Sequence, residues 1–175
     1  MAYRTKTYIA ADFDSADDVS AIEQLRKWNN NSYWSLSFTD AHDLQTSRDS
    51  SLYCSIKSSL KERMNHSKRF ILIVGDNTDS ITKGGCQYCP SYNSYLKYCA
   101  KGHSVDYRSY IKYECEIALD AALDAGIDII VLYNDTLVDK SKCPSVLRDV
   151  GTHRAMVYYK EGKYYWDYQT VKSAF

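Results

Sequence analysis

Glu114 is written into the apolar stripe of a helix and not into its polar side. Ile111, Cys115, Ala118, Ala122 and Ala125 recur at three- and four-residue spacing and predict a helix over 107–125. Its acidic row is separate, with Glu116, Asp120 and Asp124 one turn apart and facing water. Glu114 comes three residues after Ile111 and four before Ala118, so it points with the core face. A carboxylate withdrawn from water is costly unless it is paired or protonated. Two readings follow: a carboxylate with a chemical use, or one at the margin of the stripe that accepts a hydrogen bond or caps a loop.

A second constellation is Cys86-x-x-Cys89, followed by Cys99 and His103. Two thiolates two residues apart can chelate one ion through a tight turn, for which Gly84, Gly85 and Pro90 supply turn residues. A later cysteine–histidine pair would complete a tetrahedral zinc site of three thiolates and one imidazole. Zinc would also order a tyrosine-rich loop of low apolar content. The alternatives are reduced surface or packed thiols and, behind them, an adventitious disulfide. Cys54 and Cys115 fall on helix faces and read as core, while Cys143 beside Pro144 reads as a loop thiol.

The elements that must position these groups are legible in order. Lys6 to Asp12 reads as a first strand. A helix follows from an N-cap at Ser15, with Asp18 in its first turn and Val19, Ile22, Leu25 and Trp28 as its apolar face. Trp34, Leu36 and Phe38 alternate with Ser35 and Ser37 and predict a second, edge strand. Leu52, Ile56, Leu60 and Met64 mark another helix. Phe70 to Val74 is a continuous apolar run, as in a central parallel strand, and Ile127 to Tyr133 is another. Ala155 to Tyr159 closes the series, and Glu161-Gly162-Lys163 turns the chain into Tyr164-Tyr165-Trp166.

Alternating strands and helices predict an α/β, flavodoxin-like three-layer sandwich. Its sheet has five parallel strands in the order 2-1-3-4-5, with a C-terminal hairpin as an extension. Residues 1–175 read as one domain with an insertion at about 76–106, since loops longer than about 15 residues are usually functional or disordered. Ligands of such sheets bind beyond the carboxyl ends of the strands, near the switch between strands one and three. Asp12-Phe13-Asp14, the 39–49 loop and the stretch after Gly75 meet there, with Glu114 at the same rim.

Composition narrows the classes. Lysine plus arginine and aspartate plus glutamate each number 22, so no bulk field draws nucleic acid or an anionic membrane. No run of eighteen apolar residues occurs, and residues 1–6 lack a signal peptide's apolar segment, so a soluble, cytoplasmic protein is expected. The six cysteines then read as thiols or metal ligands and not as disulfides. Seventeen tyrosines against four phenylalanines point to wet grooves or interfaces. The set Tyr158, Tyr159, Tyr164, Tyr165 and Trp166 could stack bases or bury a hairpin against a partner, and neutrality argues against the first.

Several chemistries are missing. Neither G-x-G-x-x-G nor G-x-x-x-x-G-K-[ST] appears, and no G-x-S-x-G elbow. Asp12 and Asp14 suggest the acidic, magnesium-holding pocket of a receiver domain, but Asp76 falls late for its acceptor and Tyr133-Asn134-Asp135 lacks its lysine. Loop and capping duty is the other reading of that pair.

The run Tyr110-Ile111-Lys112-Tyr113-Glu114 opens the helix after the strand Ile71-Leu72-Ile73-Val74-Gly75, and Ile129-Ile130-Val131-Leu132 follows. With the segment from Thr46-Ser47-Arg48-Asp49 through Leu60, these residues resemble the Toll/interleukin-1 receptor (TIR) fold, in the bacterial TIR-like branch of Thoeris anti-phage defence. The similarity spans roughly residues 6–160. It implies that Glu114 is the catalytic carboxylate for cleaving NAD at the nicotinamide–ribose bond, with Tyr110 where a tryptophan is usual. It implies no required cofactor, NAD or a related nucleotide as substrate, and self-association that completes the site. Asp12, Phe13, Asp14, Asp40, Ser47 and Arg48, with His42 and Asp43 nearby, are the expected further contacts. A non-catalytic TIR-like interaction module in signalling is the rival expectation.

Overall fold

The computed structural model of the chain describes residues 4–41 and 52–175. Four parallel strands form its main sheet in the order β1-β2-β5-β6: β1 (Lys6–Ala10), β2 (Ser67–Val74), β5 (Asp128–Tyr133) and β6 (Thr152–Ala155). Tyr8 pairs with Phe70, and Phe70 with Ile129, so the two greasiest strands lie at the centre. Side chains alternate between the faces, as the pleat requires. Tyr8, Phe70, Leu72, Val74 and Val131 pack on one face with α2 (Tyr53–Asn65) and α3 (Tyr110–Ala125). Ile9, Ile71, Ile73, Ile130 and Leu132 pack on the other with α1 (Ala16–Asn29) and α4 (Tyr168–Lys172). Among the described residues no helix is long and apolar enough to cross a membrane.

The expected second strand is a correction. Residues 34–38 form no strand, and the chain meets β1 only just after them, at an isolated Thr7–Asp40 bridge in which Thr7 N donates to the carbonyl of Thr39 at 2.7 Å. Its backbone groups are already spent. The Asn29 side chain both donates to the Phe38 carbonyl and accepts from Phe38 N, each at 2.8 Å. Ser37 sits at φ 55°, which breaks the extended run.

The last strand also shifts. β6 ends at Ala155, and Val157–Lys160 (β7) leaves the sheet to pair antiparallel with Lys163–Trp166 (β8). Glu161 and Gly162 both take positive φ, the conformation of a type I′ hairpin turn. Entry to β6 depends on Gly151, at φ 84°, where a Cβ would lie 2.4 Å from the Ile129 carbonyl.

The connection from β2 to α3 is built, not bare. It holds 3₁₀ turns at Thr78–Ser80 and Cys86–Tyr88 and a short hairpin of β3 (Tyr92–Asn93) and β4 (Tyr98–Cys99). Its far end is held from α2: Lys57 Nζ, buried, donates to the carbonyls of Asp106 and Arg108 at 3.2 and 2.6 Å.

Candidate functional site

Ser109 caps α3 by accepting from Lys112 N, and the helix begins at Tyr110. Ile111, Glu114, Cys115, Ala118 and Ala121 form its buried face, so Glu114 takes the inward position its spacing predicts, at 6% exposure. Glu116 turns outward to Arg108, and Asp120 and Asp124 are exposed.

The hydroxyl of Tyr8 on β1 donates directly to Glu114 at 2.5 Å. Burial pushes the carboxyl up to about 7, against the opposing pull of the Tyr8 hydrogen bond and the Arg63 charge. The same burial, with the carboxylate alongside, holds Tyr8 well above the usual phenol range. Glu114 can therefore exist both with and without its proton near neutral pH.

The carboxylate opens on a cleft of about 330 Å³. One wall is Asp12-Phe13-Asp14 after β1, a second is Ile56, Leu60 and Arg63 of α2, and Ile81 and Lys83 come from the insertion. Tyr110 and Ile111 complete it beside Glu114. Two polar atoms of its lining residues, Arg63 Nε and Tyr110 Oη, are buried without a partner among the described residues. Such groups cost stability unless something meets them. Burial also raises the Tyr110 phenol above its usual range. Tyr110 is wedged by Tyr53, ring centroids 5.7 Å apart at 66°, and by Gly84, where a Cβ would fall 2.5 Å from its ring.

Asp12 Oδ1 accepts from Asp14 N at 3.0 Å, so part of this pair's work is shaping the loop. Asp14 reaches Lys83 at 2.6 Å and ties the loop to the insertion. Phe13 is half exposed. Asp40 is elsewhere: it pairs with Arg26 at 2.8 Å, on the flank where residues 39–40 touch β1, and does not line this cleft. Ser47 and Arg48, like His42 and Asp43, lie outside the described residues.

A larger cleft, about 530 Å³, lies on the other side of Asp12. Asp18, Asp76 and Asp135 line it along with Asn134, Tyr164 and Trp166 of the hairpin side, and no lysine or arginine does among the described residues. Burial pushes Asp18 up to about 6 even though Asn134 donates to it at 3.4 Å. Gly75 admits that carboxylate, since a Cβ there would stand 2.3 Å from it. Asp76 and Asp135 share Lys142, at 2.7 and 3.1 Å. The smaller cleft differs in carrying two cations, Arg63 and Lys83, beside Asp12, Asp14 and Glu114, with Lys83 paired to Asp14.

His153, in β6, is satisfied structurally: Nδ1 meets the Tyr133 hydroxyl at 2.9 Å and Nε2 faces the Leu147 and Val150 carbonyls. Cys115 and Cys143 are fully buried, and Cys143 lies in the connection between β5 and β6. Cys54 leaves the core and joins Cys86, Cys89, Cys99 and His103 around a small void. Sequence reasoning missed Tyr8, Arg63 and Lys83. Tyr8 is hidden in an apolar strand, and Arg63 in a helix whose exposed face carries other charges; no local spacing marks either.

No curated protein matches the chain. The family described as Thoeris protein ThsB, TIR-like domain, matches residues 8–83. That stretch carries Tyr8, Asp12-Phe13-Asp14, Arg63 and Lys83 and stops before Glu114. Over residues 8–83 this chain is therefore a match to the TIR-like domain of Thoeris protein ThsB, and the resemblance read from its sequence is shown there.

Proposed function

We propose that this chain is a TIR-like signalling protein of anti-phage defence, and that it cleaves NAD at the nicotinamide–ribose bond with Glu114 as catalytic carboxylate. The fold assumed is flavodoxin-like, with residues 34–40 in place of a second strand. The single observation that carries the proposal is the buried Glu114 opening on a cleft where Arg63 Nε and Tyr110 Oη lack partners. Arg63 supplies positive charge for a nucleotide's phosphates, Lys83 adds its own on exchanging Asp14 for a phosphate, and Tyr110 gives an aromatic face and a donor.

In the reaction, the glycosidic C–N bond breaks and its electron pair leaves with nicotinamide, which departs neutral. Positive charge develops on the ribose as an oxocarbenium ion. The ionised Glu114, itself buried, stabilises that charge, and Tyr8 fixes its orientation. Water then adds and loses a proton to give ADP-ribose, or the adenine ring closes on the same carbon to give a cyclic product. Self-association would complete the open side of the cleft, and a cytoplasmic location would supply the NAD.

The rival is a non-catalytic interaction module in which Glu114 only accepts from Tyr8. Nicotinamide release decides, followed by chromatography at high protein concentration with wild type beside Glu114→Gln. Release by wild type and its loss in a folded variant is the expected result. Equal release from both removes Glu114 from the chemistry, and no release from wild type at any concentration favours the module.

A further inference from the structure

The insertion has little to hold it. Between residues 87 and 106 no residue is buried, and Tyr88, Tyr95, Leu96 and Tyr98 are all exposed. Yet the segment folds into a turn and a hairpin, and its cysteines converge. The 3₁₀ turn at Cys86–Tyr88 closes with Cys89 N donating to the Cys86 carbonyl at 2.9 Å. The Tyr92–Cys99 pairing between β3 and β4 folds Cys99 back over that turn. Cys54 arrives from α2 and His103 from the loop after β4. All five line one void of about 10 Å³, room for at most one water-sized occupant. The thiols are free, and the backbone N–H of Asp106 already donates to Cys86 Sγ at 3.2 Å, the outer support a thiolate ligand receives.

We propose that this void is a structural zinc site. Cys86, Cys89 and Cys99 supply three thiolates, and Cys54 or His103 takes the fourth tetrahedral position. Among the described residues no three His, Cys, Asp or Glu side chains already stand in a ligand shell, so the ligands close on the ion as it binds. Bound zinc does for residues 87–106 what a hydrophobic core does elsewhere. It also anchors the insertion near α2, the helix that brings Ile56, Leu60 and Arg63 into the cleft. The proposal is independent of NAD cleavage.

The test uses untagged full-length protein purified under reducing conditions. Metal analysis is expected to find about one zinc per chain. After chelation, cobalt(II) titration is expected to give a thiolate charge-transfer band that saturates at one equivalent and is displaced by zinc. Cys89→Ser should lose the band, whereas Cys115→Ala, altered in the core away from the void, should keep it. If Cys89→Ser does not fold, the wild-type titration decides by itself. Absence of both zinc and the cobalt band in wild type overturns the proposal, as does a band unchanged in a folded Cys89→Ser. A Cys86–Cys89 disulfide found by alkylation and mass spectrometry in the reduced preparation would also overturn it.

Discussion

Glu114→Gln should make the protein more stable at alkaline pH while removing its proposed chemistry. Burial holds the folded-state carboxyl at about 7, against an ordinary value near 4.5. The folded chain therefore keeps a proton through that window, in which the unfolded chain has lost it. Stability from this group is fully present below about 4.5 and is lost as the pH rises through about 7. The difference of roughly 2.5 pH units, at about 1.4 kcal/mol each, amounts to about 3 kcal/mol, most of it between about pH 5 and pH 8. Glutamine stays neutral and keeps an acceptor for Tyr8, so the variant escapes this loss. Asp18, also raised, titrates in part of the same range but is common to both proteins and cancels. Urea unfolding of wild type and variant at both pH values measures the effect. The stability of Glu114→Gln relative to wild type should rise by about 3 kcal/mol toward alkaline pH, or about 6–12 °C in Tm for a chain of this size. A difference constant to within about 0.5 kcal/mol would refute the burial argument. In wild type, NAD cleavage should rise with pH through about 7, because the ionised carboxylate is the working form.

Tyr110→Phe removes a buried hydroxyl without a partner, so stability should hold or rise by about 1 kcal/mol, while the KM for NAD rises several-fold. Thermal melts beside steady-state kinetics check both, and a clear loss of stability would contradict the unpaired hydroxyl. Lys57→Met strips two carbonyls and the Asp106 carboxylate, 3.3 Å away, of a buried donor. It should cost about 2 kcal/mol in urea unfolding and speed thiol-reagent labelling of Cys86. Labelling and stability both unchanged would show that the insertion is held elsewhere.

Much of this molecule is legible along the chain. The inward position of Glu114 follows from helical spacing, and β2 and β5 from uninterrupted apolar runs. The Ser15 cap and the hairpin turn at Glu161-Gly162 are likewise local chemistry. The edge strand failed because alternation at Trp34, Leu36 and Phe38 says nothing of Asn29, whose side chain claims the backbone of Phe38 from nine residues away. The last sheet strand ends earlier than its apolar run suggests, because Tyr158 and Tyr159 suit either sheet and the choice falls to pairing.

By itself the sequence determined the order of elements, the inward carboxylate and the cysteine spacing, since each depends on residues within one or two turns of one another. Only the tertiary structure decided what those groups meet. Tyr8 reaches Glu114 across 106 residues, Arg63 and Lys83 come to the same cleft from different elements, and Cys54 joins thiols of the insertion. The physical reason is that hydrogen-bond partners and desolvation are properties of space. Glu114 is held near neutrality by what surrounds it in three dimensions, and no spacing along the chain specifies that environment.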